Sequence, residues 1–380
     1  MSERIRVLVV DDSALMRKLI PTILERDPSI EVVGTAMDGT FALKKIEEFH
    51  PDVVTLDLEM PRMDGLEALR LIMRRAPMPV IVFSTHSKEG AYSTFKALAL
   101  GAIDFVAKPR DAAAGHLEAI AVELIDKIKV AKRASGRKIR ASVEVETTSP
   151  QKKPVRATLP PSRVVAIGIS TGGPNALQYV LSQIPADFAA TILIVQHMPE
   201  GFTEMFARRL DECCALDVHE ARSGDLLIAG RVLICPGNRH IIARRMPRGD
   251  MAVLSDGPPV NGHRPSADVL FHSVAREFTL TSIGVLMTGM GDDGAEGLGA
   301  IKAAGGMTVA QSEDTCVVSG MPRAAIIKGY ANKIVPLESM SAFLVGLCGT
   351  DRDHPDRAEK KDKIEKNEKT DRTQVSSHRT

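Results

Sequence analysis

The sequence lacks the features typical of proteins that form disulfides, span a membrane or bind nucleic acid. Its five cysteines are odd in number and lack CxxC spacing, which argues against a disulfide framework and a zinc site. No apolar run approaches the roughly 20 residues of a membrane span. The N-terminus, MSERIRVLVVDD, lacks the order of a signal peptide. Lys plus Arg (49) nearly cancel Asp plus Glu (48). We therefore expect a cytoplasmic protein with no direct membrane insertion and no nucleic-acid partner.

Composition divides the chain into two domains and two connecting or terminal segments. At 380 residues it is too long for one average core. Residues 126–161 contain a stretch rich in Lys, Arg, Ser, Thr and Pro, and we predict a linker there. Residues 351–380 are almost all charged or polar, which predicts a disordered tail. The predicted domains are residues 4–125 and 162–348.

Both predicted domains alternate β-rich runs with amphipathic stretches, which indicates two doubly wound parallel sheets, a flavodoxin-like one and a Rossmann-like α/β one. In the first domain, Pro21 should kink or shorten the helix predicted over Ser13–Glu25. The strands predicted there are Ile5–Val10, Ile30–Thr35, Val53–Leu56, Val80–Phe83 and Asp104–Ala107. The clearest strands of the second domain are Val164–Ile169, Thr191–Val195, Val232–Cys235, Ser282–Met287 and Thr308–Ala310.

Polar side chains stand at the ends of successive strands in the first domain. The first strand runs into Asp11 and Asp12, the third ends in Asp57, the fourth in Ser84, and the fifth leads to Lys108. These ends meet at one edge of a parallel sheet. Clustered carboxylates suit Mg²⁺, and a carboxylate beside Mg²⁺ and a lysine can accept a phosphoryl group. Each residue alone could be a cap or a surface charge, but the five together favour a phosphate-accepting site.

This pattern resembles the response-regulator receiver domain over essentially all of residues 4–125. The resemblance implies that Asp57 is phosphorylated and that Ser84 and Lys108 contact the phosphoryl group. It places Phe105 at the position of an aromatic switch residue. The implied phosphodonor is a histidine kinase, and the implied ligands of Mg²⁺ are Asp11, Asp12, Asp57 and the backbone carbonyl of Glu59.

The second domain opens with G-x-S-x-G at a predicted strand-to-helix junction, within VVAIGISTGGPNAL. Such a junction exposes a serine hydroxyl, here that of Ser170, as a nucleophile elbow does. A glycine-rich phosphate-binding turn is the alternative. The spacing does not give G-x-G-x-x-G, and no ribose-binding acid is well placed after the next strand. The motif alone does not decide between the two.

Two further segments favour catalysis. The strand TILIVQ ends directly in His197, and MTGMGDDG places Asp292 and Asp293 in a turn after another strand. Serine, histidine and aspartate then emerge at one sheet edge, as a triad requires. The order Ser…His…Asp differs from that of the α/β-hydrolases, so that fold is not assigned. Rival bases that follow less clear strands are His219, His240, His263 and His272.

Residues of about 160–348 resemble the catalytic domain of the chemotaxis protein-glutamate methylesterases, on the stretches GISTGG, VQHMP and TGMGDDG. The resemblance implies Ser170 as nucleophile, His197 as general base and acid, and Asp293 as the orienting carboxylate, with Asp292 beside it as the alternative. It implies an oxyanion site made by the backbone amides of His197 and Met290, and ester chemistry without a cofactor.

The receiver-like and esterase-like domains together resemble the chemotaxis response-regulator methylesterases. That resemblance implies a phosphorylation-activated enzyme that demethylates glutamate methyl esters, and deamidates glutamines, on methyl-accepting chemoreceptors. The chemotaxis histidine kinase would be its phosphodonor. Rival functions are a serine hydrolase acting on another ester, a non-catalytic adaptor and a transcription factor. The complete Ser-His-Asp set argues against an adaptor, and the absence of a basic helix-turn-helix pattern argues against a transcription factor.

Overall fold

The structure is a computed structural model that describes residues 4–85, 87–108, 114–133 and 159–350. The predicted charged tail and most of the predicted linker lie outside these residues. None of the helices in the described ranges combines the length and the apolar character that a membrane span requires.

The first domain is a five-stranded parallel sheet in the order β2-β1-β3-β4-β5. Its third strand is buried along its whole length, as expected for a strand covered by helices on both faces. The flavodoxin-like prediction is confirmed. The strands are β1 (Ile5–Val10), β2 (Ile30–Ala36), β3 (Val53–Asp57), β4 (Val80–Ser84) and β5 (Asp104–Ala107), and the helices are α1 (Met16–Leu24), α2 (Gly39–Phe49), α3 (Gly65–Arg75), α4 (Lys88–Ala99) and α5 (Ala114–Arg133).

Two segments of this domain differ from the sequence-based prediction. Helix α1 begins at Met16 rather than Ser13, because the Ser13 N–H donates to Asp11 Oδ1 at 2.9 Å and holds a turn there. The helix then continues through Pro21 to Leu24. Helix α5 runs on to Arg133, so residues 126–133 are helical and not linker. Ile128 and Ala131, which are fully buried against the sheet, explain this extension.

The second domain is a seven-stranded, wholly parallel sheet in the order β14-β13-β12-β6-β7-β9-β8, with a separate antiparallel hairpin, β10–β11. Successive residues of its central strand alternate between two apolar cores: Val165 and Ile167 belong to one, and Val164 and Ala166 to the other. The sheet is therefore covered on both faces, as the Rossmann-like prediction requires.

The strands of this domain are β6 (Val164–Ile169), β7 (Thr191–Gln196), β8 (Asp217–Glu220), β9 (Arg231–Ile234), β10 (His240–Arg244), β11 (Met251–Ser255), β12 (Ser282–Leu286), β13 (Met307–Gln311) and β14 (Lys333–Val335). Its helices are α6 (Gly173–Ser182), α7 (Phe202–Cys213), α8 (Ala267–Phe278), α9 (Ala295–Ala303), α10 (Gly320–Ile327) and α11 (Leu337–Cys348).

The two domains pack against each other through aromatic side chains. Helix α4 of the first domain lies against α6 and α7 of the second. Phe95 stacks on Phe206 with ring centroids 5.4 Å apart, and Phe105 stacks on Phe202 at 4.7 Å. All four rings are almost fully buried, so one apolar core is continuous across the two domains.

Candidate phosphoacceptor and active sites

The carboxyl edge of the first sheet brings three aspartates together. Asp11, Asp12 and Asp57 each offer an oxygen within 4.8 Å of the others. The ammonium group of Lys108 lies 2.7 Å from Asp57 Oδ2 and 3.1 Å from Asp11 Oδ2. Asp11 and Asp57 are buried and Asp12 is exposed. The structure thus assembles four of the five residues that the strand-end pattern singled out.

The electrostatics of this cluster suit a bound cation. Burial raises the pKa of Asp57 to about 6, although the hydrogen bond and charge of Lys108 act to lower it. Burial also acts to lower the pKa of Lys108, but its contacts with Asp57 and Asp11 together outweigh burial and the net shift is upward. Three carboxylates beside a single ammonium leave an excess of negative charge. An all-oxygen donor set with that excess fits Mg²⁺.

Ser84 is the one member of the pattern that lies apart from the cluster. Its hydroxyl lies 2.6 Å from Thr94 Oγ1 and donates to the Gly90 carbonyl at 3.2 Å, both on α4. In the arrangement seen here the side chain therefore bonds to the helix that packs on the second domain. Its contact with a phosphoryl group stays a prediction.

Ser170 follows β6 at a sharp turn into α6. Gly172 has φ +77°, and a Cβ on Gly172 or Gly173 would overlap Val317 or the Gln196 amide. Ser170 N–H donates to the Thr288 carbonyl at 3.0 Å, which joins the turn to the end of β12. The glycines of GISTGG are thus required by close packing around the elbow.

His197 lies beside this elbow because β6 and β7 are paired in register. Ile169 pairs with Gln196, and the next residues are Ser170 and His197. The Gln196 amide donates to the carbonyls of both, at 3.0 and 3.1 Å, and so holds the two turns together. The His197 ring, 11% exposed, places Nε2 2.8 Å from Asp293 Oδ2. Its Nδ1 is buried and has no hydrogen-bond partner among the described residues, so Nδ1 is the nitrogen available to a nucleophile.

The N-terminus of α8 holds the Asp293 carboxylate. Oδ1 accepts from Ser266 Oγ at 2.7 Å and from the Asp268 N–H at 3.3 Å, and Oδ2 accepts from the Ala267 N–H at 2.7 Å. Burial acts to raise the pKa of Asp293, but these bonds and His197 outweigh it, and the pKa is lowered. The carboxylate therefore stays ionised beside the His197 imidazole.

The two adjacent acids of MTGMGDDG are separated by their surroundings. Asp293 is fully buried and contacts His197, whereas Asp292 is exposed. The geometry therefore favours Asp293 as the orienting residue, as the resemblance implied.

The two backbone amides of the predicted oxyanion site differ in their hydrogen bonding. The His197 N–H donates to the Ile169 carbonyl at 3.1 Å and extends the strand ladder, and its contact with an oxyanion stays a prediction. The Met290 N–H has no acceptor among the residues that the structure describes, and neither has the Thr171 N–H. Thr171 directly follows Ser170, and the residue after a nucleophilic serine commonly supplies an oxyanion donor, a signal that was present in the sequence.

Of the four rival histidines, only His263 contacts His197 directly. The His240 ring lies between the Ser266 N–H and the Pro258 carbonyl, at 3.3 and 3.0 Å. His219 lies on edge strand β8, and His272 is exposed on α8. His263 stacks face to face on His197.

Each of the two domains matches a known protein family. Residues 7–119 match the family described as response regulator receiver domain, and residues 165–344 match the family described as CheB methylesterase. These are the two regions that hold the aspartate cluster and the Ser-His-Asp set.

Known relatives share both domains in one chain. A Koribacter versatilis protein named protein-glutamate methylesterase/protein-glutamine glutaminase 2 is 61% identical over 348 residues, which span 90% of this chain and 95% of that protein. A Symbiobacterium thermophilum protein of the same name without a number is 48% identical over 355 residues, 91% of this chain and 97% of that protein. The crystal structure of the Thermotoga maritima CheB methylesterase catalytic domain is 37% identical, with a TM-score of 0.48, and covers 49% of this chain and 98% of that one.

Proposed function

Because this chain belongs to the protein-glutamate methylesterase/protein-glutamine glutaminase family, we propose that phosphorylation of its receiver domain controls demethylation of chemoreceptor glutamates. The chain is a carboxylic ester hydrolase with a receiver domain. The observation that carries the proposal is the contact between these two parts: the face of the receiver that holds Phe105 and α4 packs beside the nucleophile elbow.

Ser170, His197 and Asp293 form the proposed triad. His197 Nδ1 takes the proton of the Ser170 hydroxyl as Oγ bonds to the ester carbonyl carbon. The same nitrogen then gives that proton to the departing methoxide, and methanol leaves. Asp293 holds Nε2 and stabilises the imidazolium that forms in between. The N–H groups of Thr171 and Met290 are the proposed donors to the oxyanion.

The second half of the reaction restores the enzyme. Water loses a proton to His197 Nδ1 and adds to the glutamyl-serine ester, which breaks at the Ser170 Oγ–carbon bond. The proton returns to Oγ and glutamate is released. A glutamine side chain presents the same carbonyl, with ammonia as the leaving group, so one site serves both activities in the family name.

Asp57 is the proposed phosphoacceptor, and a chemotaxis histidine kinase is the proposed donor. Asp11, Asp12 and Asp57 would hold Mg²⁺, which would supply positive charge to balance the transferred phosphoryl group. Phosphoryl transfer to Asp57 would form an acyl phosphate, and Lys108, 2.7 Å from the Asp57 carboxylate, would pair with its negative charge.

The resting receiver obstructs access to the triad. Burial raises the pKa of Asp104 at the start of β5, while a side-chain hydrogen bond from Thr171, the residue after the proposed nucleophile, acts to lower it. The Asn175 side chain donates to the Leu98 carbonyl of α4 at 3.0 Å. A phosphorylated receiver that changes the position of α4 or Phe105 would weaken these contacts and shift the population toward an open form.

Methanol release from methylated receptor membranes, with and without acetyl phosphate and Mg²⁺, tests this function. The wild-type enzyme should release methanol faster with the phosphodonor. Asp57→Asn should lose that response and keep its resting rate, and Ser170→Ala and His197→Gln should lose turnover by several orders of magnitude in both conditions. A Ser170→Ala enzyme that kept a tenth of wild-type turnover would show that the nucleophile is misidentified.

A further inference from the structure

His263 lies flat against the ring of the proposed catalytic base. The ring centroids of His197 and His263 are 4.0 Å apart and the ring planes are 8° from parallel. His263 makes no side-chain hydrogen bond among the described residues, so its contact with His197 is by the face of the ring and not by a nitrogen.

The hydrogen bonding of His197 does not by itself fix the orientation of its ring. One hydrogen bond, from Nε2 to Asp293, fixes one point of the ring and leaves its plane free to tilt. The nitrogen that must meet the Ser170 hydroxyl is Nδ1, on another corner of the ring. A tilt about the Asp293 bond therefore moves Nδ1 relative to Ser170, and general-base catalysis depends steeply on that geometry.

Hydrogen bonds hold the turn that carries His263. Val260 and His263 exchange two backbone hydrogen bonds, of 3.0 and 2.9 Å, across Asn261 and Gly262. Both central residues have positive φ, +50° and +77°, as in the tight Asn-Gly turns of hairpins. The Asn261 amide donates to the buried carboxylate of Asp268 at 2.9 Å, which ties the turn to α8.

Arg264, the residue after His263, is also held by hydrogen bonds. Two nitrogens of the Arg264 guanidinium donate to Asn238 Oδ1, at 3.0 and 2.6 Å, and a third contact reaches the Gly257 carbonyl at 3.1 Å. The residues on both sides of His263 are thus held by hydrogen bonds. The Asn261 bond ties this segment to α8, the helix whose N-terminus binds Asp293.

The charge state of His263 suits a packing role. Burial lowers the pKa of His263 from its ordinary value, and the charge of His197 lowers it further, while Asp292 and Asp293 act in the opposite direction. These are the titratable groups that face it. A neutral ring offers its π face to the positive charge that His197 carries after it accepts the serine proton, and a charged ring would repel that charge.

We propose that His263 is a positioning residue for the esterase reaction: its ring fixes the plane of His197 so that Nδ1 meets Ser170 while Nε2 stays on Asp293. The inference rests on the proposed triad. It assigns His263 no proton transfer, so another flat, neutral ring should replace it.

The test compares His263→Ala, His263→Phe and the matched control His272→Ala, which removes an exposed histidine from α8. Steady-state methanol release from methylated receptor membranes is measured with the full-length enzyme under acetyl phosphate and Mg²⁺. His263→Ala should lower kcat about 10- to 100-fold with KM within about twofold, because a base displaced by about 1 Å loses about that much rate. His263→Phe should recover kcat to within about fivefold of wild type, and His272→Ala should match wild type.

A proton NMR readout separates positioning from a general structural defect. The downfield resonance of the proton between His197 and Asp293, identified by its absence in His197→Gln, should be present in wild type and His263→Phe. It should be broadened or lost in His263→Ala.

Three outcomes would contradict the inference. Full turnover in His263→Ala, with turnover lost in His197→Gln, would overturn it and leave the triad standing. A folded His263→Phe enzyme as slow as His263→Ala would show that the imidazole nitrogens matter and not the ring face. Turnover that survived His197→Gln would overturn the triad and this inference together.

Discussion

At the scale of single residues, Asp292 and Asp293 differ through their surroundings and not their chemistry. Asp293 points into the N-terminus of α8, where Ser266 and two backbone N–H groups hold its oxygens. Asp292 faces solvent one position earlier along the same turn. Only a buried, hydrogen-bonded carboxylate can keep one orientation toward an imidazole, so neighbouring acids have unequal roles.

We expect Asp293→Asn to lower kcat for methanol release by about 10²- to 10⁴-fold, because the amide cannot stabilise the imidazolium and can favour the wrong tautomer. Asp292→Asn, which changes an exposed side chain, should stay within about threefold of wild type. Steady-state kinetics on receptor membranes, with circular dichroism to verify folding, measure both. If the larger loss occurred in Asp292→Asn, the orienting residue would have to be moved by one position.

At the scale of elements, helices α4 and α7 form the link between the two domains. Phe202 and Phe206 are four residues apart on α7, so they lie on one face of that helix. That face receives Phe105 from β5 and Phe95 from α4. The position of α4 is also tied to the sheet edge that holds Asp57, since Ser84 at the end of β4 bonds to α4. A change in the bonding of Ser84 therefore acts on the helix that contacts α7.

Phe95→Ala should raise the resting turnover of the unphosphorylated full-length enzyme about tenfold. Loss of one buried aromatic contact costs about 1.4 kcal/mol or more of interface free energy, which changes an open-to-closed ratio by that factor. Turnover under saturating phosphodonor should change little. Tyr92→Ala, which alters an exposed ring on the same helix, is the control. Equal resting rates for Phe95→Ala and wild type would argue that this contact does not inhibit the enzyme.

At the scale of the whole molecule, the receiver meets the esterase domain beside the turn that holds Ser170. Thr171 contacts the receiver through Asp104 and is the neighbour of Ser170. Since the domains belong to one chain, each holds the other at high effective concentration, so under the proposed regulation an interface of modest free energy would be enough to keep the closed form populated. Under the same proposal, an interface of modest free energy is one that a single phosphoryl group would open.

A fragment that starts at Pro154, and so lacks the receiver, should demethylate receptor membranes faster than the unphosphorylated full-length enzyme. Its rate should not respond to acetyl phosphate, whereas that of the full-length enzyme should. Circular dichroism establishes that the fragment is folded, and both enzymes are assayed at equal concentration. A folded fragment no faster than the resting enzyme would exclude obstruction as the mechanism and require the receiver to activate the esterase by another route.

The sequence alone determined the features that depend on neighbours along the chain. The alternation of strands and helices predicted both parallel sheets, and since the carboxyl ends of parallel strands share one edge, it brought together Asp11, Asp12, Asp57 and Lys108. The same rule put Ser170 beside His197, one residue beyond paired strands.

Only the tertiary structure decided the features that depend on packing between distant segments. It places Asp293, and not Asp292, against the His197 ring. It also pairs the His197 N–H with the Ile169 carbonyl in the strand ladder, and it leaves Nδ1 as the available ring nitrogen. It also brought His263 onto His197, from a turn more than sixty positions away in the chain. Such contacts follow from how helices and loops fill the space above a sheet, where direction, burial and competing hydrogen bonds determine which of several suitable side chains meets its partner.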